Sequence, residues 1–241
     1  MKVLKEWRPR LMEAWGTAQF DLKIDKSVVT ALDKELEPAI KDALRGLSSE
    51  VGFIGEEHGR EGPTDRYWLV DPIDGTEQFI RGLKACRTLL TYVEGNEALY
   101  ALAYRFTTDD LYTARAGGGT YRNGVRIRRP ERPLERSWIE ISAKLGNPDV
   151  QKTVGKLIAK TRTWGYPHEF LDAVDGGVDA YIVIDGDGKA WDYAPRALLM
   201  KETGAALTNI GSDSYDFQDF SLIAAHPSIH DEIGKLLSGD A

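Results

Sequence analysis

Asp71 and Asp74 stand three residues apart in the stretch Trp68-Leu69-Val70-Asp71-Pro72-Ile73-Asp74-Gly75-Thr76. Tyr67 to Val70 reads as a buried strand that ends in these two acids. Pro72 fixes its own φ and disfavours helix at Asp71, so a turn is expected here. A turn can aim both carboxylates and the Ile73 carbonyl at one point, and converging oxygens suit a hard divalent cation such as Mg²⁺. Gly75 leaves the backbone open to close approach. Thr76 can begin a helix whose free N–H groups suit a phosphate. Taken alone, the Asp-Pro-Ile-Asp-Gly-Thr stretch reads equally as a structural turn.

The elements that must hold these residues follow from periodicity. Residues 3–16 and 27–46 have helical character, with Leu32, Leu36, Ile40 and Leu44 at i+4 spacing and Ser27 as the expected N-cap of the second helix. A strand over 51–54 leads to Gly55-Glu56-Glu57. From Thr88 to Arg129 the pattern is a β-meander, with Gly95-Asn96 and Asn123-Gly124 as hairpin turns. After Pro133, strands at 138–142, 162–164, 180–184 and 222–225 alternate with helices at 149–160, 169–175, 192–203 and 229–237. The expected organisation is therefore an N-terminal α+β part, residues 1–133, and a C-terminal α/β part, residues 134–241.

Three further segments join the Asp-Pro-Ile-Asp turn in order along the chain: Val29-Thr30-Ala31-Leu32-Asp33, Gly55-Glu56-Glu57 and Trp191-Asp192-Tyr193-Ala194. Together they resemble the inositol monophosphatase family, the Mg²⁺-dependent, lithium-sensitive phosphomonoesterases. The resemblance runs from about residue 23 to the C-terminus. It implies a layered α-β-α-β sandwich, with an N-terminal antiparallel sheet and a C-terminal α/β part. It implies two or three Mg²⁺ ions. Glu56, Asp71 and the Ile73 carbonyl would hold the first, and Asp71, Asp74 and Asp192 the second, with Glu57 and Lys23 in support. It also implies direct attack by water, whose proton passes towards Thr76 and Asp33 or towards Glu56. The N–H groups of Gly75 and Thr76 would seat the phosphoryl group. Without the resemblance, Asp33 reads as a surface acid in a charged helical run and Asp192 as a helix N-cap.

The resemblance places Asp185, Gly165 and Tyr166 on the substrate side, although Asp185 beside two glycines also reads as a turn residue. Inositol monophosphate is the first expected substrate. Arg162-Thr163-Trp164-Gly165, Arg81-Gly82 and Ala114–Gly119 resemble the histidinol-phosphate phosphatase branch, from which Tyr166-Pro167-His168 and Ala85-Cys86-Arg87 depart. The chain also reads as a phosphatase of nucleotide or sugar bisphosphates, or as an inactive metal-binding relative. An inactive relative should have lost a ligand, and Glu56, Asp71, Asp74, Thr76 and Asp192 are all present. Asp185-Gly186-Asp187-Gly188 after an apolar strand also mimics the nucleophile motif of haloacid-dehalogenase-type phosphatases, but too little chain follows it. Arg87 reads as exposed or as a contact for a second anionic group.

Bulk properties exclude other classes. The chain has 241 residues, a formal net charge of −7, 42% hydrophobic and 29% charged residues. That acidity argues against a general nucleic-acid binder, and the arginines from Arg122 to Arg136 read as one wet strand face. One cysteine, Cys86, forbids an internal disulfide framework, and the four histidines lack zinc-ligand spacing. No apolar run approaches the ~20 residues of a membrane helix. A cytoplasmic enzyme acting on a small phosphorylated substrate is expected, and the family resemblance implies a homodimer.

Overall fold

A computed structural model describes residues 2–48, 50–143, 146–163, 170–186 and 188–238. They fall into two compact units, residues 1–113 and 114–241. The elements of the first are α1 (Lys2–Ala14), β1 (Phe20–Leu22), β2 (Val28–Thr30), α2 (Ala31–Arg45), β3 (Gly52–Gly55), β4 (Gly59–Glu61), β5 (Arg66–Asp74), α3 (Thr76–Ile80), β6 (Arg87–Glu94), β7 (Glu97–Arg105) and β8 (Asp110–Arg115), which crosses the division. Its main sheet has the order β8-β7-β6-β5-β3-β4. β3 and β5 are parallel, while β4, β6 and β7 pair antiparallel with their neighbours. Leu4 and Leu11 of α1 and Leu36 and Ile40 of α2 bury their side chains with Phe53, Val70, Leu90 and Leu102 of the sheet. The i+4 spacing seen in the sequence is thus the core stripe of α2.

The second unit holds β9 (Gly119–Arg122), β10 (Val125–Ile127), β11 (Trp138–Ala143), α4 (Pro148–Lys160), β12 (Arg162–Thr163), α5 (Phe170–Val174), β13 (Ala180–Ile184), α6 (Ala190–Lys201), β14 (Ala206–Thr208), β15 (Leu222–Ala225) and α7 (Pro227–Ser238). Its five-stranded sheet has the order β12-β11-β13-β15-β14. Strands β12, β11 and β13 run parallel, and β15 pairs antiparallel with β13 and β14. Ala180 and Ile182 pack with Leu157 of α4 and Ile229, Ile233 and Leu236 of α7. Tyr181 and Val183, on the opposite face of β13, are buried as well. A strand covered on both faces reads as the unbroken apolar run seen in the sequence. The expected mixture of layered sheets and helices is present. Among the described residues no helix is long and apolar enough to cross a membrane.

Two expectations change. The second helix starts after Thr30, not Ser27: Thr30 Oγ1 accepts from Leu32 N and Asp33 N, and residues 28–30 are drawn into β2 by pairing with β1. The β9–β10 hairpin, which precedes the expected division near Pro133, bonds to later elements. Thr120 Oγ1 donates to Leu199 O, and Arg122 pairs with Asp175. The arginine-rich stretch is also not simply a wet face. Arg129 is buried and donates to the carbonyls of Ala173, Val178 and Asp179, and burial pushes its pKa down to about 10. Between β8 and β9, Gly117 (φ +71°) and Gly119 (φ +91°) turn their amides onto one carboxylate, that of Glu202 just past α6, at 2.9 and 2.8 Å.

Candidate active site

β5 does not stop at the first acid. It continues to Asp74 through a bulge, since Asp71 faces Leu89 and Asp74 faces Arg87, three steps on β5 against two on β6. A bulge accommodates Pro72, which has no N–H to offer the ladder. Thr88 Oγ1 donates to the Pro72 carbonyl at 2.8 Å and closes the irregularity. The expected turn is thus a bulged strand. It brings carboxylate oxygens of Asp71 and Asp74 within 4.8 Å of each other. Both residues are buried. The Ile73 side chain lies in the core while its carbonyl accepts from Thr76 Oγ1 at 2.9 Å. Gly75 follows at φ +82°, and α3 starts at Thr76 as expected.

Asp33 meets this segment from α2. Its Oδ2 accepts from Thr30 N at 2.8 Å and Thr30 Oγ1 at 2.5 Å, and its Oδ1 accepts from Thr76 Oγ1 at 3.1 Å. Asp33 is therefore buried, not the surface acid that its charged neighbours suggest. Burial raises its pKa, with hydrogen bonds from Thr30 and Thr76 acting the other way.

Glu56 and Glu57 leave β3 beside β5, and Glu56 N donates to Val70 O at 3.1 Å. Lys23, between β1 and β2, donates to Glu56 Oε1 at 2.7 Å and to Glu57 Oε1 at 2.6 Å. Burial alone would lower the Lys23 pKa, but the two glutamates raise it above the usual lysine value. Burial raises that of Glu57, against the pull of Lys23.

A residue that no sequence motif singles out holds this turn. The Glu37 side chain is fully buried, and its carboxylate accepts from Glu57 N and His58 N at 2.8 Å and faces His58 Nδ1 at 2.9 Å. Gly55 leaves the room, because a Cβ there would lie 2.2 Å from the Glu37 carboxyl carbon. Only its i+4 spacing from Asp33 on the helix could have flagged it. Glu37→Gln replaces an acceptor by an amide donor against these donors, and a loss of roughly 2 kcal/mol is expected in urea unfolding. An unchanged midpoint would show that the turn stands without the charge.

Arg87, read from the sequence as exposed or as a contact for an anionic group, is buried. Its Nε lies 3.0 Å from Asp74 Oδ2. The adjoining Cys86 is buried too, and burial pushes its thiol up to about 12, which leaves it no role as a thiolate nucleophile near neutrality.

In the second unit, Asp192 is the third residue of α6 rather than its cap, and its Oδ2 accepts from Lys189 N at 2.6 Å. Asp185 is exposed, with φ +55°, at the end of β13. The next residue must be glycine, since a Cβ at Gly186 would lie 2.1 Å from the Tyr193 hydroxyl. This geometry supports the turn reading of Asp185. Gly165 and Tyr166 lie outside the described residues.

The segments that carry the sequence resemblance thus lie at the start of α2, after β3, in the β5 bulge and in α6. The model of the inositol monophosphatase family matches residues 2–239. The chain belongs to that family. Its members are phosphatases, and this chain is a phosphomonoester hydrolase. It is 28% identical to the inositol-1-monophosphatase of Bacillus subtilis over 222 residues, covering 86% of this chain and 82% of the relative. It is 27% identical to a Thermotoga maritima protein named fructose-1,6-bisphosphatase/inositol-1-monophosphatase, covering 99% and 94%. The solved Thermotoga maritima IMPase superposes with a TM-score of 0.83 at 27% identity, over 99% of this chain and 94% of that one. Membership also fits the layered fold expected from the sequence.

Proposed function

We propose that this family member hydrolyses a small polyol or amino-alcohol phosphate, inositol monophosphate foremost, by direct attack of water in a Mg²⁺-dependent reaction. The hydrogen bond from Thr76 to Asp33, next to the paired acids of the β5 bulge, carries the reading. It gives a proton route where the acids give a cation site.

The donor set suits Mg²⁺, since the side chains of Glu56, Asp71, Asp74 and Asp192 and the Ile73 carbonyl offer only oxygen. Glu56, Asp71 and Ile73 would hold one ion and Asp71, Asp74 and Asp192 another. Asp192 enters this set on the family resemblance. When bound, Mg²⁺ would polarise the attacking water and neutralise charge on the departing oxygen.

The chain's own groups do the rest. Asp33 Oδ1, 3.1 Å from Thr76 Oγ1, takes the threonine proton, and the freed hydroxyl oxygen accepts one from water. Burial raises the affinity of Asp33 for that proton. The water oxygen bonds to phosphorus as the ester P–O bond breaks; the leaving alkoxide takes a proton from solvent water, and Asp33 returns the one it holds to solvent. Gly75 and Thr76 present backbone N–H groups to the phosphoryl oxygens, and positioning of this kind is most of what phosphoryl transfer needs. Lys23 holds Glu56 and Glu57 together at the edge of the site.

Phosphate release from a panel tests this: myo-inositol 1-phosphate, histidinol phosphate, fructose 1,6-bisphosphate and adenosine 3′,5′-bisphosphate, with Mg²⁺ and with chelator. Mg²⁺-dependent turnover, fastest on inositol 1-phosphate, is expected. Fastest turnover of a bisphosphate would favour a bisphosphatase, a reading that the name of the Thermotoga relative supports. No turnover by folded, Mg²⁺-loaded protein would overturn both.

A further inference from the structure

The connection between β13 and α6 is gripped from two elements. A Cβ at Gly186 would stand 2.1 Å from the Tyr193 hydroxyl and 2.3 Å from the Phe220 carbonyl oxygen, and one at Gly188 would stand 2.6 Å from Tyr193 Cε2. The backbone therefore lies against the Tyr193 side chain at both glycines. Tyr193 is 4% exposed, and its ring stacks on Phe220 with centroids 5.2 Å apart and planes at 21°.

Phe220 is itself fixed. It lies on the loop between β14 and β15, which folds around the buried side chain of Asn209. Asn209 Nδ2 donates to the carbonyls of Asp216, Asp219 and Ser221 at 3.1, 3.1 and 2.7 Å, and its Oδ1 accepts from Asp216 N at 2.6 Å. A buried amide satisfied in this way holds one loop conformation.

Acids stand at the two ends of the connection. At the α6 end the Lys189 N–H meets Asp192 Oδ2, and a Cβ at Gly188 would come within 2.7 Å of the same oxygen. At the β13 end Asp185 is exposed. A turn residue held from beneath can still meet a ligand. A carboxylate repels phosphate but accepts hydrogen bonds from hydroxyl and ammonium groups, the donors of a polyol or amino alcohol.

We propose that Tyr193 is a positioning residue for choice of the leaving alcohol. Its buried ring sets the β13–α6 connection, and so sets where Asp185 stands relative to Asp192. An alcohol that departs beside Asp192 and carries a donor reaching Asp185 is favoured; one without such a donor gains nothing from the arrangement. This rests on the reading of Asp192 as an ion ligand and adds to it how the departing group is selected.

The full-length protein with Mg²⁺ tests this through the ratio of kcat/KM on myo-inositol 1-phosphate to that on p-nitrophenyl phosphate, whose leaving group has no further donor. Tyr193→Leu should lower the ratio roughly tenfold, the effect of one charge-assisted hydrogen bond, while Tyr193→Phe, which keeps the ring, should stay within a factor of about three of wild type. Asp185→Gly, which suits the positive φ, should lower the ratio as far. The double variant should fall little further, since one residue acts through the other. A merely structural tyrosine would lower both esters alike and leave the ratio unmoved. That result overturns the proposal, as do additive losses in the double variant. If Tyr193→Leu does not fold, Gly186→Ala, which pushes the connection off the ring, takes its place under the same outcomes. A ratio untouched by Asp185→Gly overturns the proposal by itself. No Mg²⁺-dependent turnover of either ester by wild type would overturn the active-site reading as well, so the two failures are distinguishable.

Discussion

Asp71→Asn is expected to lower phosphate release by roughly 100-fold or more while leaving the fold intact. The side chain is 2% exposed and has a carboxylate oxygen within 4.8 Å of one on Asp74. Two buried acids at that separation repel unless a cation lies between or beside them. Asparagine keeps the shape and removes one charge, so the metal-free protein should melt at the same temperature or higher. Mg²⁺ is expected to raise the melting temperature of the wild type, and that rise should vanish with the activity, since a ligand stabilises only the state that binds it. Retention of more than about 5% of the rate would sink the ligand assignment, because losing a shared ion ligand has an effect of several kcal/mol.

Gly75→Ala should have the largest effect on stability, roughly 3 kcal/mol in urea unfolding, with activity falling alongside. Gly75 sits at φ +82°, where a side chain strains the backbone whatever the space around it. Here there is no space either, since a Cβ would stand 2.4 Å from the Ala85 carbonyl oxygen. That oxygen is the one that fixes the Arg87 guanidinium, so any retreat disturbs the partner of Asp74. A loss below about 1 kcal/mol would show that the turn relaxes and that glycine is not required there.

What the sequence reveals depends on how local the cause is. β13 is readable because an unbroken apolar run from Ala180 to Ile184 needs no knowledge of its neighbours. The β9–β10 hairpin is readable because Asn123 and Gly124 both take the positive φ that the turn demands. Asp71 and Asp74 are visible because one segment carries both. Arg87, Arg129 and Glu37 are not, because an isolated charged residue reads as surface and its burial is decided by partners elsewhere in the chain. The start of α2 lies between these cases. Thr30 and Asp33 spell a capping box, but β2 exists only through its pairing with β1 and displaces the helix past Ser27. The resemblance singled out Asp33; only the structure shows its carboxylate satisfied by Thr30 and Thr76.

The two glycine amides that Glu202 holds have the form of an oxyanion receptor. Their occupant is tethered to the same chain, and a tethered group competes at an effective concentration of at least millimolar order. Dissolved phosphate meets a seat already taken.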